Sequence, residues 1–485
     1  MDLMTALMTA IKVKCTTTEN GMPTNTTALN ANVDLFFKAG AMRNAEAEDI
    51  ISLVSKAWAE DPTTCLQILF WARDVRGGAG ERRFFRVAMA YLIEKDPAGF
   101  ADIMTLIPEY GRWDDLKAFE NTAAEEYALA TIATALEGGN TLCAKWMPRK
   151  GSFAAKIRNF LNLSPKQYRK LLVGLTNVVE TQMCAKEWDE INFEHVPSLA
   201  MSRYGMAFTK NSKERFSKYV ESLKKGEAKV NAGAIYPYDV TKALFKNDAA
   251  EEQWKALPNF LEGNSEKILP LVDVSGSMGT ECGGNLTCMD VAISLGLYIS
   301  ERNEGPFKDH FLTFSSNPEL QHLTGDLKDR FNQMKRADWG MSTNLEKAYK
   351  LILDQALKHN ISQEEMPTQI LILSDMEFDR ATNQREEILG WGEQDNHTWN
   401  PTAQEMVEKM FTDAGYKVPD IVYWNIQSRN DNVPVRFDQD GTALISGFSP
   451  SIMTSLLGGA EMNPQSIMME TIGKERYSRI KYETM

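Results

Sequence analysis

From residue 267 onward the chain alternates short, almost wholly apolar runs with amphipathic helical stretches, and few folds accept that alternation. The runs are KILPLVDV, DHFLTFSS, TQILILSDMEF, PDIVYWNIQ and TALISGF. The stretches CMDVAISLGLYISERN, DLKDRFNQMKRA, TNLEKAYKLILDQALKH, AQEMVEKMFTDAGY and PSIMTSLLGG carry apolar residues at helical spacing. A strand without a polar face is buried on both sides. The pattern therefore predicts a doubly wound α/β domain, a parallel sheet with helices on both faces. In such sheets ligands gather outside the carboxyl ends of the strands. Asp273 and Asp375 each stand just past an apolar run, at that edge.

Residues from about 30 to 255 follow the helical period throughout. AEDIISLVSKAWAED sets Ile50, Ile51, Val54, Ala57 and Trp58 on one stripe. PTTCLQILFWARDVR, GERRFFRVAMAYLIEK, AAEEYALATIATALEGG and SPKQYRKLLVGLTNVVETQMC continue the series, the last with Ser164 as N-cap and Pro165 at the first helical position. Helices of about 12 to 17 residues paired across short turns predict a solenoid of HEAT type. Gly233, Pro237, Pro258 and Gly263 punctuate a connector over residues 226–265. The expected domains are a helical-repeat module over 1–265 and an α/β domain over 266–485.

The charge is split along the same line. The net charge is −13, but residues 1–250 carry 32 lysines and arginines against 30 aspartates and glutamates, while 251–485 carry 21 against 36. Modules so different in charge suit different partners. Six cysteines, at 15, 65, 143, 184, 282 and 288, form no CxxC pair, which argues against a zinc ribbon or a thioredoxin motif. Cys282 and Cys288 flank a glycine-rich loop and are expected to be reduced. The start MDLMTALMTAIKVK lacks a basic leader, and no segment approaches the roughly 18 apolar residues of a membrane span. A soluble, cytoplasmic protein without a membrane partner, monomeric by default, is the expectation.

Three loops at the sheet edge carry oxygen donors: Asp273-x-Ser275-x-Ser277, Thr343 at a helix start, and Asp375. Two carboxylates and three hydroxyls form a hard, weakly charged set that suits magnesium, with manganese or calcium as substitutes. The bland reading is a pair of serines capping the next helix beside solvated aspartates. A serine nucleophile fits worse. DVSGSMG is not the G-x-S-x-G elbow, and none of His195, His310, His322, His359 and His397 falls clearly where a hydrolase order would put it. A haloacid-type phosphatase needs an aspartate where Ser275 stands. These residues resemble the metal-ion-dependent adhesion site of the von Willebrand factor A domain. The resemblance implies that Ser275, Ser277 and Thr343 touch the metal directly or nearly so. Asp273 and Asp375 would act largely through water, and an outside carboxylate or phosphate would complete the shell.

The helical half holds basic clusters interleaved with aromatic residues, a composition suited to RNA phosphates and unstacked bases. FWARDVRGGAGERRFFR brings Arg73, Arg76, Arg82, Arg83 and Arg86 without a Walker lysine after its glycines. CAKWMPRKGSFAAKIR adds Lys145, Arg149, Lys150, Lys156 and Arg158 around Trp146, and SPKQYRK adds Lys166, Arg169 and Lys170. The structural alternative is that Asp74 and Glu81 pair with the arginines inside a helix packing motif. RDVRGGAGERRFFR, IPEYGRWDDL, KWMPRKG, VPSLAMSRYGMAF and LILSDMEFD look like a microbial and viral branch of the TROVE family, typified by the Ro autoantigen. That resemblance implies a ring of HEAT-like repeats closed by the A-like domain, binding small structured noncoding RNAs (Y RNAs) and the ends of misfolded RNAs. The basic residues rest on composition alone. The expected function is a non-catalytic, RNA-binding scaffold carrying a magnesium site. The alternative is a protein-binding module, of an assembly or phage structural kind, whose metal grips a partner's carboxylate. A metal-dependent hydrolase would want clustered carboxylates around two metals.

Overall fold

A computed structural model describes residues 16–283, 286–313, 318–337, 343–381 and 401–482. Cys15, the leader reading of the first residues and the WGMS part of the Thr343 loop lie outside them. The chain divides into two compact units, each discontinuous: Met1–Asn44 with Asn259–Lys474, and Ala45–Pro258 with Glu475–Met485. The expected cut at 265/266 lies close to one crossing, but both chain ends belong with the half opposite to the one expected.

In the first unit a hairpin of β1 (Thr16–Thr17) and β2 (Pro23–Thr24) precedes a six-stranded sheet. Its strands are β3 (Ile268–Val272), β4 (His310–Thr313), β5 (Leu320–His322), β6 (Gln369–Ser374), β7 (Asp420–Asn425) and β8 (Thr442–Ser446), in spatial order β5-β4-β3-β6-β7-β8. All neighbours are parallel except β4 and β5, which run antiparallel with His310 opposite His322. The sheet is thus mixed rather than purely parallel, closed at one edge by a short polar strand. Ile268, Leu269, Leu271 and Val272 of β3 and Ile370 to Leu373 of β6 are all buried, as strands covered on both faces must be. From β3 the chain steps outward to β4 on one side, and β6 pairs with β3 on the other. The crevice at the carboxyl ends of β3 and β6 is therefore the topological switch point. The helix Cys288–Arg302 lies close on β3 because Gly296 faces it; a Cβ there would stand 2.6 Å from Val272 Cγ2.

The helix Ala31–Ala39, expected at the start of the helical half, packs on β8 instead. Ser446 Oγ donates to Phe36 O (2.9 Å) and accepts from Gly40 N (3.0 Å), which ends the helix against the strand. Gly40 is required there, since a Cβ would lie 2.5 Å from Gly447 N. Ahead of this helix, Asn25 and Val433 exchange backbone hydrogen bonds (3.2 and 2.8 Å), so the N-terminal arm is laced to the far loops of the sheet.

The second unit is helical, from Ala47–Glu60, Pro62–Arg73 and Arg82–Lys95 through to Ala250–Lys255. Ser164 caps Pro165–Leu175 through a reciprocal pair with Gln167, as its position before Pro165 predicts. Its charged core is Arg73 with Asp115: Nε and Nη2 lie 2.8 and 2.7 Å from one carboxylate oxygen, with both side chains buried. The chain's end returns to this unit. Asp74, fully buried, accepts from Arg476 Nη2 (2.8 Å) and Tyr477 OH (3.0 Å), and the Tyr482 hydroxyl reaches Asp96 (2.8 Å). The five described cysteines are free thiols. Cys282 and Cys288 are buried, so neither presents its sulfur to solvent.

Two stability effects follow. Gly40→Ala should cost about 1–3 kcal/mol in denaturant titration, because the intruding methyl meets backbone that cannot move aside. Arg73→Ala should cost about 3–5 kcal/mol, because it strips a buried carboxylate of its main partner.

Candidate functional site

Asp273, Ser275, Ser277 and Asp375 come together at the switch point, and Thr343 is tied to the same edge through the Asp375 loop. Asp273 follows β3 directly, and its amide donates to Leu373 O of β6 (3.0 Å), so the pairing of the two strands extends into the loop. Its carboxylate is fully buried and oriented from both sides: Oδ1 accepts the Ser275 amide (2.9 Å) and Oδ2 accepts the Ser374 hydroxyl (2.6 Å). Ser275 and Ser277 share a hydrogen bond between their hydroxyls (2.9 Å). Thr343 is buried just before the helix Leu345–Lys358, and its carbonyl accepts from the Asp379 amide (3.0 Å), which ties it to the Asp375 loop.

Asp375 is the least satisfied of the set. Its Oδ1 takes the Glu377 amide at 3.4 Å, while the buried Oδ2 has no hydrogen-bond donor and only the Arg429 guanidinium at 3.6 Å. Burial, then the nearby charge of Asp375, pushes the Asp273 carboxyl up to about 7. Burial also raises Asp375, opposed by Ser277, the Glu377 amide and Arg429. Two buried carboxylates that resist joint ionisation, one with a bare oxygen, fit a bound cation. Among the described residues no three His, Cys, Asp or Glu side chains converge on a metal position, so a cation there would have to draw its remaining donors from the hydroxyls.

The loop is held from behind by residues that the apolar-run reading missed. Met376 adopts a left-handed conformation at φ 65°, unusual for a side chain of its size. The next residue, Glu377, is buried and anchors that turn: its carboxylate accepts from Glu19 N (2.6 Å), Asn430 Nδ2 (3.0 Å) and Asn432 Nδ2 (2.8 Å). Arg429 also pairs with Glu19 (3.2 Å). Ser374, a polar residue closing the apolar run Ile370–Leu373, is the one visible sign of this support in the sequence.

The thirteen basic residues separate into two groups. Arg73 is a core residue, which removes it from any RNA surface, and Arg86 divides its guanidinium between Asp114 and Asp115. Lys156 is held by Glu125 (2.5 Å) and Asn121 (2.7 Å), and Lys145 lies 3.7 Å from Glu180. Asp115 and Asp114 pair with Arg73 and Arg86, and the Asp74 carboxylate accepts the Arg76 amide (3.0 Å). Arg76 and Arg83 are exposed and donate to the carbonyls of Glu109 (3.4 Å) and Ala45, Arg149 reaches Thr176 (3.5 Å), and Arg158 is half-buried. Arg82, Lys150, Lys166, Arg169 and Lys170 are exposed and form no ion pair among the described residues. Arg112, overlooked in the sequence, stacks its guanidinium 3.9 Å over the Trp146 ring.

Comparison with known proteins gives two family matches. Residues 267–484 match a domain of unknown function, DUF7788, and residues 18–118 with 125–266 match another, DUF2828. An uncharacterised protein of Acanthamoeba polyphaga mimivirus is 29% identical over 518 aligned residues, covering 94% of this chain and 86% of that protein. Among solved structures, the chain is similar to the Ro (RSR) protein of Deinococcus radiodurans at 14% identity and a TM-score of 0.36, covering 92% of this chain and 93% of the other. With its model spanning half of the sequence, the DUF2828 family is the one to which this chain belongs.

Proposed function

We propose that this protein is a non-catalytic scaffold of the TROVE type, which binds RNA through its helical unit and holds magnesium in a von Willebrand A-like α/β unit. The observation that carries the RNA reading is the set of exposed cations without an acidic partner. On the helix Pro165–Leu175, Lys166, Arg169 and Lys170 face solvent and no residue of the helix is acidic. The helical unit balances 32 lysines and arginines against 31 acids, whereas the α/β unit holds 21 against 35. Small structured RNA with a free end is the ligand class expected for such a surface.

In the α/β unit Ser275, Ser277 and Thr343 would contact the cation, with Asp273 and Asp375 acting mainly through water. Bound there, magnesium would offer an electrophilic position to an outside carboxylate or phosphate oxygen. Ser374 and the Ser275 amide hold Asp273 in one orientation, and Arg429 sets a second positive charge beside the opening. A second reading is a protein-binding module whose partner offers a carboxylate to that position. It is favoured by Leu142, Phe160 and Val173, which are exposed within the basic helices of the other unit.

Asp273→Ala should abolish magnesium binding in calorimetry while the fold persists. Ser374→Ala should weaken binding by about 10–100-fold, the usual effect of removing an outer support of a metal ligand. The sign of the pH dependence follows from the raised carboxyls: a proton sits on the pair below about pH 7 and must leave when the cation enters. Affinity should therefore be lower at about pH 5.5 than at about pH 8, by roughly tenfold or more.

The logarithm of RNA affinity should fall linearly with the logarithm of salt concentration, by about 0.7 per phosphate neutralised on a single strand. Replacing Lys166, Arg169 and Lys170 together by alanine should flatten that slope by about two. An unchanged slope would remove this helix from the RNA surface, and failure to bind any RNA would leave the protein-binding reading.

A further inference from the structure

In the helical unit three arginines share two aspartates, and a fourth lies alongside. Asp115 accepts Nε and Nη2 of Arg73, Nε of Arg86 (2.7 Å) and the backbone amide of Arg112 (2.8 Å). Asp114 pairs with Nη2 of Arg86 (3.0 Å) and with Nε and Nη2 of Arg112 (both 3.0 Å). Both carboxylates are held by these arginines. Arg82, the first residue of the helix Arg82–Lys95, stands four residues before Arg86, feels the charges of Arg112 and Arg73 together with that of Asp114, and forms no ion pair among the described residues. Among these six side chains the guanidiniums outnumber the carboxylates by two.

The surplus is also held in place. Gly111 presses its backbone onto the Arg73–Asp115 pair so closely that a Cβ would lie 2.3 Å from Asp115 Oδ2. Arg112 is fixed against Trp146, and Arg86 by its two acids. Rigid guanidinium forks with uncompensated charge suit an oxyanion that takes two hydrogen bonds from each fork. A surplus of two matches a phosphate monoester, which carries about −1.5 to −2 at neutral pH, better than a singly charged diester.

We propose that Arg82, with Arg86 and Arg112, forms a binding site for a dianionic phosphate, and that its source is the terminal phosphate of a single-stranded RNA. The chemistry stands on the arginine cluster, and only the source rests on the RNA reading above. That source is favoured over a phosphorylated protein because the same unit carries further unpaired cations, Lys150, Lys166, Arg169 and Lys170, suited to the phosphates that follow along a strand.

The test uses the full chain and one short RNA with a phosphate or a hydroxyl at its end, compared by fluorescence anisotropy at fixed salt. The terminal phosphate should tighten binding about tenfold. Arg82→Ala should shrink that gain to about twofold or less, whereas Arg169→Ala should weaken both RNAs alike. Arg82→Lys keeps the charge but loses the fork, and should retain only part of the gain. Because Arg82 is unpaired, Arg82→Ala should unfold at the temperature of the unaltered protein. Equal binding of the two RNAs, or an undiminished gain in Arg82→Ala, overturns the site and leaves the RNA reading standing. If neither RNA binds but inorganic phosphate or a phosphopeptide raises the unfolding temperature only when Arg82 is present, the phosphate site stands and its RNA source is overturned.

Discussion

Asp273 lies at the one place in the α/β unit where the polypeptide cannot avoid burying charge. The two central strands of the sheet, β3 and β6, are apolar to their last turns and covered on both faces. Their carboxyl ends open where the strand order reverses, and both loops leave that point with an aspartate. Neither carboxylate reaches bulk water, and each discourages ionisation of the other. The surrounding groups are arranged around that difficulty. Ser374 and the Ser275 amide satisfy Asp273, Ser277 and Arg429 temper Asp375, and Glu377 fixes the turn through Met376 with three bonds to the N-terminal arm and the loop after β7. The arm is therefore part of the site's foundation, although it begins more than 200 residues before the first strand of the sheet.

The helical unit meets the same problem with a different answer. Asp115 and Asp74 are as buried as Asp273, but each is given an internal cation, Arg73 for one and Arg476 from the chain's end for the other. A buried acid with its own arginine is structural, and removing either partner exposes the other to a large desolvation cost. A buried acid without one asks for something from outside. Asp115 has four donors, whereas Asp375 keeps one buried oxygen without a hydrogen bond.

This is also where the sequence was and was not legible. Continuous apolar runs gave β3, β6, β7 and β8 nearly in full, and an aspartate closing such a run marked the switch point. β5 was missed because Leu320–His322 is three residues long and has no apolar face to read. Ala31–Ala39 was read as a helix correctly but placed with the wrong unit. Helical periodicity reports that a face is buried and not what buries it, and here the partner is β8, some 400 residues on. Arg73 and Arg82 looked alike in RDVRGGAGERRFFR. What distinguishes them is Asp115, 42 residues from Arg73, whose charge no local window contains. The same holds for Glu377, whose partners come from Glu19, Asn430 and Asn432.

The two places left wanting a partner are opposite in sign, and that bears on what the chain can bind. The α/β unit, with 21 basic against 35 acidic residues, repels anions at long range, so an oxyanion approaching Asp375 needs a cation already in the opening. Arg429 supplies one charge there, and the carboxylate and hydroxyl set is suited to holding a second. The helical unit is nearly neutral in sum, so any pull on phosphate would be local, from arginines whose acids are already shared and from the cations of a helix that has no acid. Neither unit needs a large net charge to recognise an acidic ligand. Each needs only a short range over which internal compensation falls short, and the buried carboxylates decide where that happens.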